Sequence, residues 1–246
     1  MEYIYQLILI FFLYSFGGWV VEVLFSYLFE KHKFVNRGFL TGPICPIYGI
    51  GSILVIIFLT KYLNSPVVLY FMSIVIASIL EYSTSYLMEK VFKNRWWDYT
   101  KYKYNINGRI CLETMIPFGF LALFMMYILN PFMFSIIKSL DPNIIKNLAI
   151  ILTVLTIIDI ILSFNIIITL KNISNSIRCD STEVITKRVK EILFSKTILH
   201  RRLIQSFPDM KVFNRTAILK NKLEEDKHKL KEEKKKNKIK GKRKKK

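Results

Sequence analysis

The chain of 246 residues is poor in the side chains that do most protein chemistry. It has three cysteines and three histidines. Cys45, Cys111 and Cys179 lie far apart, which excludes a disulfide scaffold. His32, His200 and His228 provide no zinc spacing. No Ser-His-Asp set, Cys-His pair or metal cluster is evident, so the sequence points to no catalytic residues, no metal and no cofactor, and reads as that of a non-enzyme. The Gly-Lys-Ser/Thr ending of a phosphate-binding loop is absent as well. Acidic residues are scarce, 18 against 37 Lys and Arg, for a net charge of +19, although 52% of the residues are hydrophobic. That conflict disappears when the chain is cut near residue 170. Residues 1–170 carry 12 basic and 9 acidic residues, and the remainder carries 25 and 9. A nearly neutral, very apolar segment is joined to a basic tail, which is not the make-up of an ordinary soluble domain.

What the apolar part does have is length. A bilayer core of about 30 Å takes about 20 apolar residues as a helix, and five stretches qualify: 3–29, 44–63, 67–88, 112–137 and 145–170. The expected fold is an all-α integral membrane protein with five transmembrane helices over residues 1–170. The first span lacks a basic n-region and a small-residue cleavage site, so it is expected to be retained. Lys and Arg alternate in the connections. Lys31, Lys33 and Arg37 lie in the first, and Lys90, Lys93, Arg95, Lys101, Lys103 and Arg109 in the third. The second holds Lys61, and the fourth Lys138 and Lys146. By the positive-inside rule the N-terminus is outside and the C-terminus cytoplasmic.

The spans resemble one another. Glu22, Ser26, Tyr27, Leu28, Glu30 and Lys31 match Glu81, Ser85, Tyr86, Leu87, Glu89 and Lys90 at a constant offset of 59. Asn36-Arg37-Gly38 precedes Pro46 by ten residues from the Asn, as Asn107-Gly108-Arg109 precedes Pro117. The second copy carries about twelve extra residues, including Arg95-Trp96-Trp97-Asp98-Tyr99. This pattern predicts a parallel repeat of a two-helix hairpin, over 1–63 and 67–137, with span five as an addition.

Four acidic residues lie within or at the edge of spans: Glu22, Glu81, Glu113 and Asp159. A carboxylate at mid-membrane costs about 2.5–3.5 kcal/mol on the lenient insertion scale, so it faces a protein interior or a wet cavity. These residues either line a substrate or proton path or form buried ion pairs, with Arg37 and Arg109 as the candidate partners. The loop entering span two, Asn36–Gly51, contains Gly38, Gly42, Pro43, Pro46, Gly49 and Gly51, and predicts an irregular or re-entrant helix entrance. Trp96 and Trp97, in Arg95–Tyr99, read as an interfacial aromatic belt, and their clustering with Arg95 and Asp98 suggests a fixed cytoplasmic structure or docking surface.

Beyond residue 170, Ile185, Val189, Ile192, Leu193, Leu199 and Leu203 recur at helical spacing, which predicts a cytoplasmic amphipathic region within 171–230. Residues 231–246 contain 11 basic residues in 16 and no aromatic, and read as a disordered Lys-rich end drawn to anionic lipid. Without a stacking platform, nucleic acid is not the expected partner.

Asn36–Gly51 (NRGFLTGPICPIYGIG), Trp96–Tyr99 (WWDY) and Asn105–Glu113 (NINGRICLE), with Gly18, Trp19 and Glu22 upstream, resemble the bacterial ABC-transporter permease family of the CmpB-like, type IV group, over about residues 5–135. The resemblance implies a multi-span protein of the bacterial plasma membrane acting in transport. A transport ATPase would have to be a separate cytoplasmic chain, and a homo- or hetero-oligomer would be needed to build a pathway. A structural or accessory membrane protein without transport activity is the alternative. A reporter fused after Lys246 is expected on the cytoplasmic side, and reporter activity outside the cell would contradict the orientation.

Overall fold

In the computed structural model of the chain, residues 2–31, 36–92, 94–176, 187, 201–202, 205–206 and 211–212 are described. They are mostly helical. Helix α1 (Glu2–Phe25) continues into a π-helical segment over Ser26–Lys31. Helix α2 (Pro46–Leu59) ends in a 3-10 turn over Thr60–Tyr62, and α3 follows at Pro66–Phe92. Short strands β1 (Asn94–Arg95), β2 (Asn105–Ile106) and β3 (Ile110–Cys111) lead to α4 (Leu112–Phe124). A second π segment, Met125–Leu129, joins α4 to α5 (Asn130–Ser139). The long α6 (Pro142–Ser176) is followed by β4 (Lys211–Val212).

Four of these helical stretches are long and apolar enough to cross a membrane: Glu2–Leu28, Pro66–Phe92, Leu112–Ser139 and Pro142–Thr169. The expected second span is a shorter apolar helix, because Pro46 takes the first helical position and the preceding loop is non-helical. Its 14 α-helical residues and 3-10 turn reach about 27 Å, slightly less than a bilayer core. The expected fourth span is one continuous helix that widens along its length. Pro131 has no N–H to offer the preceding turn, and the ladder widens to a π segment just before it. Helix α6 starts on a capped turn, in which Asp141 Oδ1 accepts the Asn143 N–H at 2.8 Å ahead of Pro142. The amphipathic helix expected over 183–205 lies outside the described residues except for Lys187, Arg201, Arg202 and Gln205. Residues 231–246 lie wholly outside them.

Helices α1 and α2 form a close antiparallel pair. A Cβ at Gly18 would stand 2.2 Å from Tyr48 Cγ, and one at Gly49 would stand 2.2 Å from Ser15 Oγ and 2.6 Å from Phe11. Small residues let membrane helices approach in this way, since lipid supplies no hydrophobic drive for them to associate. Helices α3 and α4 also run antiparallel, with Gly119 against Tyr70 and Ser78 bonded to Met115.

The bundle is polarised along its length. Leu9, Ile10, Val55, Ile56, Leu59, Leu69, Met125, Met126, Ile137, Ile145 and Ala149 make an apolar cluster at the end of the α2–α3 turn. The first and third connections lie at the opposite end, and the buried polar groups described below gather there. Between the two zones the Tyr14 hydroxyl donates to Asn130 Oδ1 at 2.6 Å.

If the α1–α2 crossing sets the bundle, Gly18→Val should lower stability by about 1–3 kcal/mol through overpacking against Tyr48. Gly17→Ala, on open space, should be neutral or slightly stabilising. Thermal unfolding of the detergent-solubilised variants checks this, and equal effects at the two positions would contradict it.

Candidate functional site: the polar network at the basic-loop end

The loop Asn36–Cys45 is non-helical, so its backbone groups need partners from elsewhere in the chain. Helix α6 satisfies the amides. Asp159 Oδ1 accepts the Thr41 N–H at 2.9 Å, and Oδ2 accepts the Gly42 N–H at 2.8 Å. Ser163 Oγ lies 3.1 Å from the Thr41 nitrogen and 3.0 Å from its hydroxyl. A side chain at Gly42 would meet Asp159 Oδ2 at 3.0 Å, so glycine keeps the carboxylate's approach open.

The carbonyls of the loop are satisfied from the other side. The Arg202 guanidinium donates to Leu40 O and, at 3.4 Å, to Gly38 O, while the Ser206 hydroxyl donates to Asn36 O at 2.5 Å. Burial lowers the Arg202 pKa from its ordinary high value, and the Asp159 charge opposes that effect. Trp19 Nε1 donates to Asn36 Oδ1 at 2.6 Å, and Asn36 Nδ2 donates to Thr41 O at 3.3 Å. At the far end of the loop the Cys45 N–H donates to Ser15 O of α1 at 2.9 Å.

The third connection is built differently. Asn107 and Gly108 both have left-handed φ, 53° and 65°, and the Arg109 N–H donates to Ile106 O at 3.0 Å. This is the I′ turn that an Asn-Gly pair favours, and it closes the β2–β3 hairpin. The turn delivers Arg109 to α3, where its Nη2 lies 3.1 Å from Glu89 Oε2 and its Nη1 donates to Ser85 Oγ at 3.2 Å. Arg95 reaches the same Glu89 oxygen at 3.0 Å and Asp98 at 3.6 Å. Trp97 Nε1 donates to Arg109 O at 3.1 Å. Trp96, 3% exposed, packs edge-on against Phe39, with Phe92 and Phe164 beside it. The expected aromatic belt is, at Trp96, an internal aromatic box tying the first connection to α3 and α6.

The four acidic residues of the spans end in four different settings. Glu22 accepts the Tyr48 hydroxyl at 2.7 Å and lies 3.8 Å from the Arg37 guanidinium. Glu81, 8% exposed, accepts the Tyr99 hydroxyl at 3.1 Å through Oε1. Its Oε2 is buried and has no hydrogen-bond partner among the described residues. Burial, and then the Glu81 charge, push the Tyr99 hydroxyl above its ordinary pKa, so it stays a donor. Glu22 and Glu81 are close enough for Glu81 to feel the Glu22 charge, and Tyr48 and Tyr99 each feel both. Asp159 stands apart, spent on loop amides, and Glu113 is exposed in the first turn of α4, where the helix dipole favours an acid.

Arg37 thus lies beside Glu22, whereas Arg109 goes to Glu89 instead of Glu81. The hairpin sets Arg109 level with Ser85 and Glu89, one to two helical turns, or about 6–12 Å, from Glu81. Of the motif-loop residues, Asn36, Gly38, Gly42, Trp97, Asp98, Tyr99, Asn107 and Gly108 all take part in the network. Pro43 lies in the non-helical entrance, Pro46 starts α2, and Gly49 and Gly51 are packing positions, Gly51 against Leu80. Tyr48, Ser163, Arg202 and Ser206 were not singled out from sequence. Tyr48 could have been noticed as a phenol hydroxyl among the mostly apolar residues after Pro46, but Arg202 has no distinguishing mark in a tail full of basic residues.

Asp159→Ala removes the acceptor of two loop amides and should cost roughly 2–4 kcal/mol. It should also open the loop, so that Cys45, buried in the native chain, reacts with a maleimide in a Cys179→Ser background. Unchanged Cys45 protection in Asp159→Ala would show that the loop is held by something else.

Comparison with curated proteins and with solved structures returns no match. The family described as "Putative ABC-transporter type IV" matches residues 9–164. That stretch is more than half of the chain and contains Glu22, Arg37, Glu81, Arg109 and Asp159. By that match the chain belongs to the ABC-transporter type IV family.

Proposed function

We propose that the chain is the permease subunit of an ABC-type transporter whose ATPase is a separate cytoplasmic chain. The observation that carries this reading is the family match over residues 9–164, which include two of the four long apolar helices entire and most of the other two. In this reading α2 also crosses the bilayer, making five spans, with the N-terminus outside and the C-terminus inside the bacterial plasma membrane. The two antiparallel hairpins, α1–α2 and α3–α4, are copies of one parallel repeat. The exposed apolar faces of α6, such as Leu155, Ile158 and Ile161, meet lipid or a second subunit of a homo- or hetero-oligomer. The basic end of the tail lies on anionic lipid.

The ATPase-facing surface is the tip of the third connection. The Trp96–Tyr99 segment is turned inward and committed to internal contacts, which leaves Tyr102, Tyr104 and Ile106 exposed at 46%, 61% and 58%. Lys101 and Lys103 flank them, so the patch joins exposed apolar and aromatic side chains to positive charge. An accessory role without transport is supported by one observation: Asp159, Arg95 and Arg109 are all spent on internal contacts.

Affinity purification in mild detergent followed by mass spectrometry separates the two readings. A stoichiometric ATPase subunit is expected with the native chain. It should be lost, with the chain still folded, in a Tyr104→Ala/Ile106→Ser variant. Recovery of the chain without any ATPase would favour the accessory role.

A further inference from the structure

The Glu81 carboxylate is enclosed on the inner face of α3, yet only one of its oxygens is satisfied. Oε1 takes the Tyr99 hydroxyl, whereas Oε2 is fully buried and meets no donor among the described residues. The nearby guanidiniums are engaged elsewhere: Arg37 beside Glu22, and Arg95 and Arg109 on Glu89. The groups facing Glu81 from neighbouring elements are Glu22 of α1, Tyr48 of α2, and Tyr99 of the third connection. None of these supplies a positive charge, and one of them adds a negative charge. A buried carboxylate with no counter-charge is among the least favourable arrangements in a protein, and in a membrane domain such a group marks a functional site.

Three further buried groups point the same way. The hydroxyls of Ser15 on α1, Ser26 at the start of the π segment and Ser73 on α3 are enclosed and have no hydrogen-bond partner among the described residues. Ser26 lies one turn from Glu22 on the same face, and Ser15 and Ser73 lie two turns from Glu22 and Glu81. Enclosed polar oxygens of this kind are satisfied by water or by a bound ion. A protein cage for Ca²⁺ takes about six to eight oxygen ligands, and one for Mg²⁺ an octahedral set. Among the described residues there is no group of three or more His, Cys, Asp or Glu that could hold either ion.

We propose that Glu81, with Glu22 beside it and Tyr99 and Tyr48 as hydroxyl partners, is an intramembrane seat for one exchangeable positive charge, either a proton or a small monovalent cation. With Arg37 beside Glu22, occupancy by one charge balances the Glu81 carboxylate. Each conformational step of the membrane domain that opens or closes the seat is therefore linked to the uptake or release of one charge. The inference rests on the chain spanning a membrane but needs no ATPase partner, so its failure and that of the permease reading are separable.

The test uses the full chain in nanodiscs of zwitterionic lipid, with thermal unfolding as the readout. One arm varies pH with N-methylglucamine as the only cation. The other fixes pH and exchanges N-methylglucamine for Na⁺, K⁺ or methylammonium at constant ionic strength. In the proton arm the native state binds one proton more than the unfolded state, so stability rises as pH falls. In the cation arm stability rises with the logarithm of the bound ion's concentration. The native chain is expected to respond in one arm, and Glu81→Gln to lose that response while keeping the common acid-induced losses. Should Glu81→Gln fail to fold, Tyr99→Phe keeps the carboxylate and removes its donor, and the midpoint of the same response must then shift. A flat native response in both arms, a Glu81→Gln response equal to the native one, or an unmoved midpoint in Tyr99→Phe overturns the proposal.

Discussion

The grip of one carboxylate on two backbone amides sets much of the rest of this structure. Asp159 holds the N–H groups of Thr41 and Gly42 at 2.9 and 2.8 Å, and so joins α6 to the loop that begins the α1–α2 hairpin. Without water in a bilayer core, every irregular stretch of backbone must find its partners within the protein. The loop therefore determines what surrounds it: an acid beneath its amides, a guanidinium over its carbonyls, an indole and a serine on Asn36. An acidic residue in the middle of the most apolar helix of the chain is retained because its charge is matched to two aligned N–H dipoles. Hydrogen bonds to an ionised group are roughly twice as strong as neutral ones.

The two connections at this end solve one problem by different chemistry. In the first, residues from distant elements converge on a loop with little internal order. In the third, a β-hairpin closed by Asn107-Gly108 satisfies its own backbone and needs outside partners chiefly for Arg109. The two connections thus differ in more than length. The longer third connection sets its arginine beside Glu89 and leaves Glu81 to a tyrosine, whereas Glu22 has both a tyrosine and an arginine. Similar side chains at matching positions consequently carry different electrostatic surroundings, and the pair of carboxylates is asymmetric.

The features set by solvent were legible in the sequence. The apolar stretches, the irregular entrance before Pro46 and the unusual standing of Glu22, Glu81 and Asp159 all follow from the cost of polar groups in hydrocarbon. The helix entrance at Pro46 and the widening before Pro131 follow from missing donors, though the widening was not anticipated. What could not be read is pairing. Whether Arg109 meets Glu81 or Glu89 depends on a shift of one or two helical turns, which the hairpin geometry fixes and the spacing of charges does not. The inward turn of Trp96 is similar: a tryptophan near a membrane edge is equally at home in a belt, and only the presence of Phe39, Phe92 and Phe164 decides. Arg202 was illegible for a statistical reason, since one arginine among so many basic residues carries no signal of its own.

The pairing of Lys211–Val212 with Asn94–Arg95, together with the reach of Arg202 and Ser206 to the first loop, has a consequence for how the molecule matures. Synthesis proceeds from the N-terminus, and the first loop leaves the ribosome long before its partners do. Its amides wait for Asp159 in the middle of α6, and its carbonyls wait for Arg202 and Ser206, made after α6 is complete. The earliest connection in the chain therefore cannot be locked until after α6, and the membrane bundle is finished from the C-terminal side, after insertion.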